Sequence, residues 1–505
     1  MLQALAARLS ALAVTALIVA SFAITEAPSR AVAQPGGDGS GGPAVAHYAG
    51  GRVIRGKTGP DAKLFRPKDA NGGPISAGEP TLGVTNDDNV FYTAIQSNTR
   101  IEVLRSANEG KSWDIVSPKI NNRNAQLLSF DPYIWVDDTE GADRIFTIDL
   151  TVACSYLSFS DDEGKTWTTN PLACGRPVND HQTLFGGPPV FSPMTLYPNV
   201  VYYCWNDIAS ASCGKSIDGG LTFTPTGSPA FSGYDPAAEQ PGVDPNKRDI
   251  KGQCGGLHGH GHVGDDGTVY LPKGHCGQPW LSISKDEGAT WEHVQVAKNG
   301  VAHHEASVAT DRKGNIYYAY SGRDRLMYLV VSKDGGKKWS KPMMVAAPGV
   351  NETNLPSLDV GDVGRVAMAY MGTENGPGQP FPERKGTSTN PGCMIAQLPC
   401  PAPEEYKKTT WNGYTTITSN ALAKNPVFFS TTVNAKSDPL KRTTCGPGRC
   451  GLDILDFIDV VIAPDGEVWS SWVDACTLAC AEKGATQDSG SEAVVGKLVG
   501  NPYLR

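Results

Sequence analysis

The sequence predicts an all-β protein: a single β-propeller of four-stranded blades, with seven blades favoured and six the alternative. Three observations predict it. An eight-residue phrase recurs five times as Ser106–Trp113, Ser160–Trp167, Ser216–Phe223, Ser284–Trp291 and Ser332–Trp339, each with an acid or amide third, a glycine fifth and an aromatic last. Before each copy comes an apolar strand, a polar Asp/Gly turn and a second apolar strand, as in Pro80–Val84 with Val90–Ala94 and Ala306–Val308 with Ile316–Tyr320. Finally, 57 glycines and 37 prolines in 505 residues are the excess a turn-rich chain of short strands needs. Self-similarity at a long period marks a repeat architecture, here a ring of small sheets.

Within each phrase the third-position carboxylate or amide suits a turn, accepting backbone N–H bonds. The glycine two residues later supplies a positive φ, and the closing aromatic starts a strand and wedges between sheets. Two later segments, Leu355–Met371 and Phe457–Val473, repeat the front half without the phrase and bring the blade count to seven. The Gly/Pro-rich insertion Gly372–Lys408 falls where the loop after a second strand belongs and is expected to overhang one face. Residues Gly51–Arg55 are expected to close the ring by adding an outermost strand to the last blade.

Residues 1–33 read as a secretory leader: Arg8, an apolar run from Ala11 to Ile24, and Ala31-Val32-Ala33 as a small-residue cleavage pattern. Residues 34–50 read as a flexible linker and 51–505 as the propeller, so the protein is expected to be secreted or extracytoplasmic, with no membrane span once the leader is removed. Twelve cysteines agree with an oxidising compartment, and sequential neighbours offer the pairs Cys154–Cys174, Cys204–Cys213, Cys254–Cys276, Cys393–Cys400, Cys445–Cys450 and Cys476–Cys480. A net charge of −8 without a basic block excludes a nucleic-acid partner, and a monomer is expected.

The repeated phrase resembles the Asp-box, or bacterial neuraminidase repeat, of the sialidase superfamily. That resemblance implies a propeller whose boxes lie on the outer edge, away from the active face. It also implies a glycosidase site with an arginine clamp for a substrate carboxylate, an aspartic acid/base, and a tyrosine nucleophile supported by glutamate. Phe65-Arg66-Pro67 looks like the family's Phe-Arg-Ile-Pro motif with one residue missing, which makes Arg66 a candidate for the clamp. Arg323 and Arg325, directly after a second strand, are further substrate-binding candidates.

Aligned on the valine before the Asp/Gly turn, Glu79, Asp131, His258 and His303 fall at equivalent positions that open innermost strands, with Asp456 close to the same place. Loops at that end of a propeller surround the central channel, so a common polar rim is expected. Asp131, Glu305 and Glu79 are the candidate catalytic carboxylates, and His303 and His304 candidate substrate contacts. His258, His260 and His262 alternate with glycine; on a strand they share one side, which makes them a candidate divalent-metal site, against the alternative that they fill a blade interface. Three functions follow: a secreted sialidase-like glycoside hydrolase acting on terminal sugars, a non-catalytic propeller binding glycan or glycoprotein, and a metal-assisted hydrolase.

Overall fold

The computed structural model describes residues 61–95, 101–119, 131–139, 142–151, 154–171, 180–191, 195–207, 210–232, 257–275, 278–298, 306–322, 324–378, 408–442, 456–477 and 491–500, with the segments 45–48 and 51–55 and the single positions 129, 406, 454, 480, 504 and 505. These residues form seven sheets, blades I to VII in chain order; six are antiparallel and four-stranded, and blade VI has an antiparallel core of four strands within a seven-stranded sheet. The innermost strands are Thr81–Val84, Tyr133–Asp137, Asp180–Gly187, His262–Val263, Ala306–Thr310, Glu352–Val360 and Asp459–Ile462. Each touches the innermost strand of the next blade and the seventh touches the first, so the ring is closed.

A two-sided sheet must bury both faces, and here each face packs on a neighbouring blade. The core is accordingly a circle of inter-blade clusters rather than one centre. Phe91 and Val103 meet Ile134 and Ile145 between blades I and II, Phe146 and Leu157 meet Leu184 and Tyr203 between II and III, and the series continues to a large cluster uniting VI, VII and I.

All five boxes lie between the third and fourth strands of blades I to V. In each, the serine Oγ accepts the glycine N–H, at 2.8 Å from Ser106 to Gly110 and 2.9 Å from Ser332 to Gly336. The acid or amide accepts the N–H of the seventh residue, at 2.8 Å from Asp162 to Thr166. Fourth and fifth positions are both left-handed, as in Glu163 at φ 61° and Gly164 at 75°, which explains glutamate or glycine followed by glycine. Trp113, Trp167 and Trp339 close the turn by donating Nε1–H to that glycine's carbonyl. Blade VI carries a reduced version that the sequence comparison missed: Thr418 Oγ1 bonds Asn420 in the same way, and Asn420 Oδ1 accepts the Val427 N–H at 2.9 Å.

Closure differs from expectation by one strand. Asp61–Phe65, not Gly51–Arg55, pairs antiparallel with the third strand of blade VII, Glu492–Val499. Gly51–Arg55 instead runs parallel to Val427–Thr432 at the outside of blade VI and forms a hairpin with Val45–Tyr48, which lies in the stretch read as linker. The expected disulfides Cys204–Cys213 and Cys476–Cys480 are formed; each of the other four pairs has a member outside the described residues. No described helix is long and apolar enough to cross a membrane.

Candidate functional site

The register of the sheets fixes which residues line the channel. One residue at or next to the end of each innermost strand pairs at or next to the start of the second strand: Val84 with Val90, Val136 with Ile145, Gly186 with Val201, Val263 with Val269, Thr310 with Ile316, Val360 with Val366 and Ile462 with Val468. Three residues earlier stand Thr81, Tyr133, Thr183, His260, Ser307, Ser357 and Asp459. Five residues earlier stand Glu79, Asp131, His181, His258, Leu355 and Phe457, the blade V member Glu305 lying outside the described residues.

The first of these layers laces the ring together. Thr81 Oγ1 accepts the Ile134 N–H at 2.8 Å, Thr183 Oγ1 the Gly261 N–H at 3.3 Å and Ser307 Oγ the Leu358 N–H at 3.1 Å, so one hydroxyl ties each of these inner strands to the next. Blade VII places an aspartate at the same position. Asp459 Oδ2 accepts the Leu82 N–H at 3.3 Å as the hydroxyls do, and its second oxygen takes the Ser357 hydroxyl at 3.2 Å and lies 3.6 Å from His260 Nδ1.

The second layer holds three of the residues expected on the rim, Glu79, Asp131 and His258, together with His181 and the apolar Leu355 and Phe457. Asp131 Oδ2 accepts the His181 N–H at 3.0 Å, and the Asp131 carbonyl accepts the Gln182 side chain. The His181 ring meets the edges of His258 at 5.7 Å and Phe457 at 5.4 Å. Phe457 also meets His260 at 5.6 Å and Tyr133 at 6.4 Å, so one ring from blade VII gathers aromatic groups from blades II, III and IV. Glu79 Oε1 accepts the Asp456 N–H at 3.2 Å. Glu79, His181 and Leu355 hold positive φ of 51°, 48° and 55°, a strain that non-glycine residues accept only where the surroundings dictate it.

Two alignments made on sequence shift by this register. Thr310 rather than Val308 holds the blade V position, so the two-residue offset had selected His303 instead of Glu305. Blade III has Gly186 where a valine was sought, which hid His181. His303, His304, Glu305 and Arg323 all lie outside the described residues.

The histidines do not form the expected metal site. Only His262 of the three is in the strand, so the alternation that would align them is broken. His258 Nδ1 contacts its neighbour's carbonyl, Gly259 O, at 2.9 Å, His260 turns to Asp459, and His262 Nε2 meets Thr310 Oγ1 at 2.9 Å. Their ligand atoms do not converge; among the described residues the one convergent acidic group is Asp87, Asp143 and Glu163. Burial holds His258 well below its usual range and His262 at about 4, so both imidazoles are neutral at pH 7.

Arg66 is engaged within the protein. It reaches Asp474 at 2.6 Å, Asp438 at 3.3 Å and Glu492 at 3.5 Å, fastening the end of the closing strand to blades VI and VII. Arg325, buried, lies 3.5 Å from Glu352 and donates to Tyr406 Oη at 3.3 Å. Tyr406 in turn donates to Glu352, 3.0 Å and 3.2 Å from its two oxygens, and the Gly378 N–H binds one of these at 2.9 Å. Burial pulls Arg325 down to about 10 against the opposing charge of Glu352, so it keeps its proton at neutral pH. Tyr406 lies near the end of the long insertion, and nothing in its local pattern distinguishes it from the chain's other tyrosines; only the fold brings it to Glu352, the first residue of the blade VI inner strand.

No protein-family model matches the chain, and no curated protein sequence does. Among solved structures it is similar to a Hadza microbial sialidase, at 18% identity and a TM-score of 0.40, over 58% of this chain and 63% of that one. It is also similar to a protein of unknown function from Dyadobacter fermentans, at 13% identity and a TM-score of 0.40 over 88% and 99%, and to a Trypanosoma rangeli sialidase, at 13% and 0.36 over 76% and 56%. The chain thus spans less than two thirds of the length of either sialidase.

Proposed function

We propose that the protein is a secreted glycoside hydrolase of sialidase-like fold acting on terminal sugars at the channel mouth. The observation that carries the reading is the Tyr406–Glu352–Arg325 group. A phenol hydrogen-bonded to both oxygens of a carboxylate has a general base in place to take its proton, as an activated nucleophile requires, and Arg325 offsets the charge of the base. Asp131, on the rim, is assigned the acid/base role. The two disulfides are compatible with an extracytoplasmic location.

Two observations favour the second reading, a non-catalytic glycan-binding propeller. Tyr406 and Glu352 are both fully buried, and Arg66 is taken up by three carboxylates instead of pointing at the channel. A panel of chromogenic glycosides that includes a sialoside decides between them. The hydrolase reading expects turnover that falls at least 10³-fold in Tyr406→Phe and about 10²-fold in Glu352→Gln and Asp131→Asn. No turnover of any glycoside by the intact protein, or unchanged rates in Tyr406→Phe, would overturn it.

A further inference from the structure

The proposed nucleophile and its base carry a cover that the hydrolase reading does not use. Glu352 and Tyr406 are each 0% exposed, and the Glu352 carboxylate lies under the residues that follow the second strand of blade VI, Val366–Thr373. The Gly378 N–H donates to Glu352 Oε1 at 2.9 Å. A Cβ built on Gly376 would stand 3.1 Å from Glu352 Cδ and 2.8 Å from Thr373 Cγ2, so a glycine is what lets the backbone come this close to the carboxylate. Asn351, immediately before Glu352, donates from Nδ2 to the Gly376 carbonyl at 2.7 Å.

This cover has a fixed base and a lightly built tip. At the base, Thr373 and Asn375 repeat the locking pattern of the boxes: the Asn375 N–H donates to Thr373 Oγ1 at 3.3 Å, and the Thr373 hydroxyl donates to Asn375 Oδ1 at 3.0 Å. Asn375 also accepts the Thr410 N–H and donates to the Lys408 carbonyl, both at 2.9 Å, and Glu374 accepts from the Tyr414 hydroxyl and from Lys436 Nζ, both at 2.8 Å. The tip, Gly376-Pro377-Gly378, is partly exposed throughout and carries no side chain but one proline ring. What lies beneath it is a carboxylate with its guanidinium and phenol partners, groups that water solvates once it is admitted. Lifting the tip therefore breaks backbone bonds to Asn351 and Glu352 while the base stays in place, and the glycines on either side of the proline supply the backbone freedom. Segments built in this way open locally, short of unfolding.

We propose that Gly376–Gly378 is a lid over the Tyr406–Glu352–Arg325 group, hinged after Asn375 and latched by Asn351, and that a sugar reaches the phenol only when it opens. The lid rests on the hydrolase reading for what enters, and it accounts for the burial of a pair assigned to chemistry. Because only the open form binds, the apparent affinity for substrate is the intrinsic affinity scaled by the fraction open, so the latch sets KM as well as access.

The test is amide hydrogen exchange of the full chain, with nitration of Tyr406 by tetranitromethane as the measure of access. The Gly378 amide is expected to exchange faster than that of Met368, which is buried in the second strand of blade VI between Leu358 and Thr416 and reports global opening. Asn351→Ala, which removes the latch, is expected to speed both Gly378 exchange, relative to Met368, and Tyr406 nitration by about fivefold or more. Gly376→Ala, whose Cβ crowds Glu352 in the closed form, is expected to act in the same direction and serves where the first variant does not fold. For any glycoside that is turned over, KM is expected to fall by the factor by which exchange rises. Gly378 exchange that matches Met368, nitration unchanged where exchange rises, or a KM unchanged in both variants would overturn the lid. Faster exchange and faster nitration with no glycoside turned over would support the lid and overturn the hydrolase reading alone.

Discussion

Five copies of one turn show how much a single residue decides when its backbone conformation is fixed. Gly336 sits at φ 86°, and a Cβ built there would come 2.8 Å from Ile283 Cδ1 of the preceding blade. Gly336→Ala is therefore strained twice, by its backbone and by the packing of blade V on blade IV, and is expected to cost about 1–3 kcal/mol in urea unfolding. A loss under 0.5 kcal/mol would show that the turn relaxes freely. This glycine was legible in the sequence because the phrase repeats it at a constant offset. Tyr406 was not, because its partners Glu352 and Arg325 stand 54 and 81 positions away and no local pattern ties them to it.

Elements were legible where periodicity is strong and less so where the register turns on a single position. The recurrence of a second strand after each Asp/Gly turn gave Ile316–Tyr320 and Glu467–Trp472 directly, whereas the closing strand, expected at Gly51–Arg55, is Asp61–Phe65, whose pairing with blade VII no repeat marks. Phe65 settles the packing: its ring stacks on Trp469 at 6.0 Å and lies against Gly110 of the first box, joining the last blade to the first. Phe65→Ala is expected to lower stability by about 2–3 kcal/mol, less than for a fully buried ring because the side chain is only partly buried. The denaturant midpoint checks it, and a change below 1 kcal/mol would place the closure in the backbone ladder alone.

The closed ring as a whole couples stability to pH. His262 is neutral where it packs, its pKa held at about 4 by burial against the ordinary 6.5, so the unfolded chain binds its proton more readily than the folded one. Its contribution is fully present above pH 6.5 and is lost as pH falls toward 4, a change on the order of 3 kcal/mol. His258 acts in the same direction. Melting temperature measured from pH 7 to 4 is expected to fall, and His262→Gln, which retains a polar group for Thr310 without a titrating proton, is expected to flatten the slope. An equally steep slope in that variant would move the effect to other groups.

By itself the sequence determined the propeller, its repeat unit, the boxed turns, and the fact that acids and imidazoles open the inner strands, because each of these is written in residues close together and recurs with the repeat. Only the tertiary structure decided which of those groups meet. The two-residue offset in blade V, the glycine hiding His181, the fastening of Arg66 to three carboxylates, and the pairings Tyr406–Glu352 and Asp459–His260 all arise where separate blades converge on one axis. Closing a ring brings residues hundreds of positions apart to within a hydrogen bond, and a pattern read along one strand carries no record of what the neighbouring strand presents.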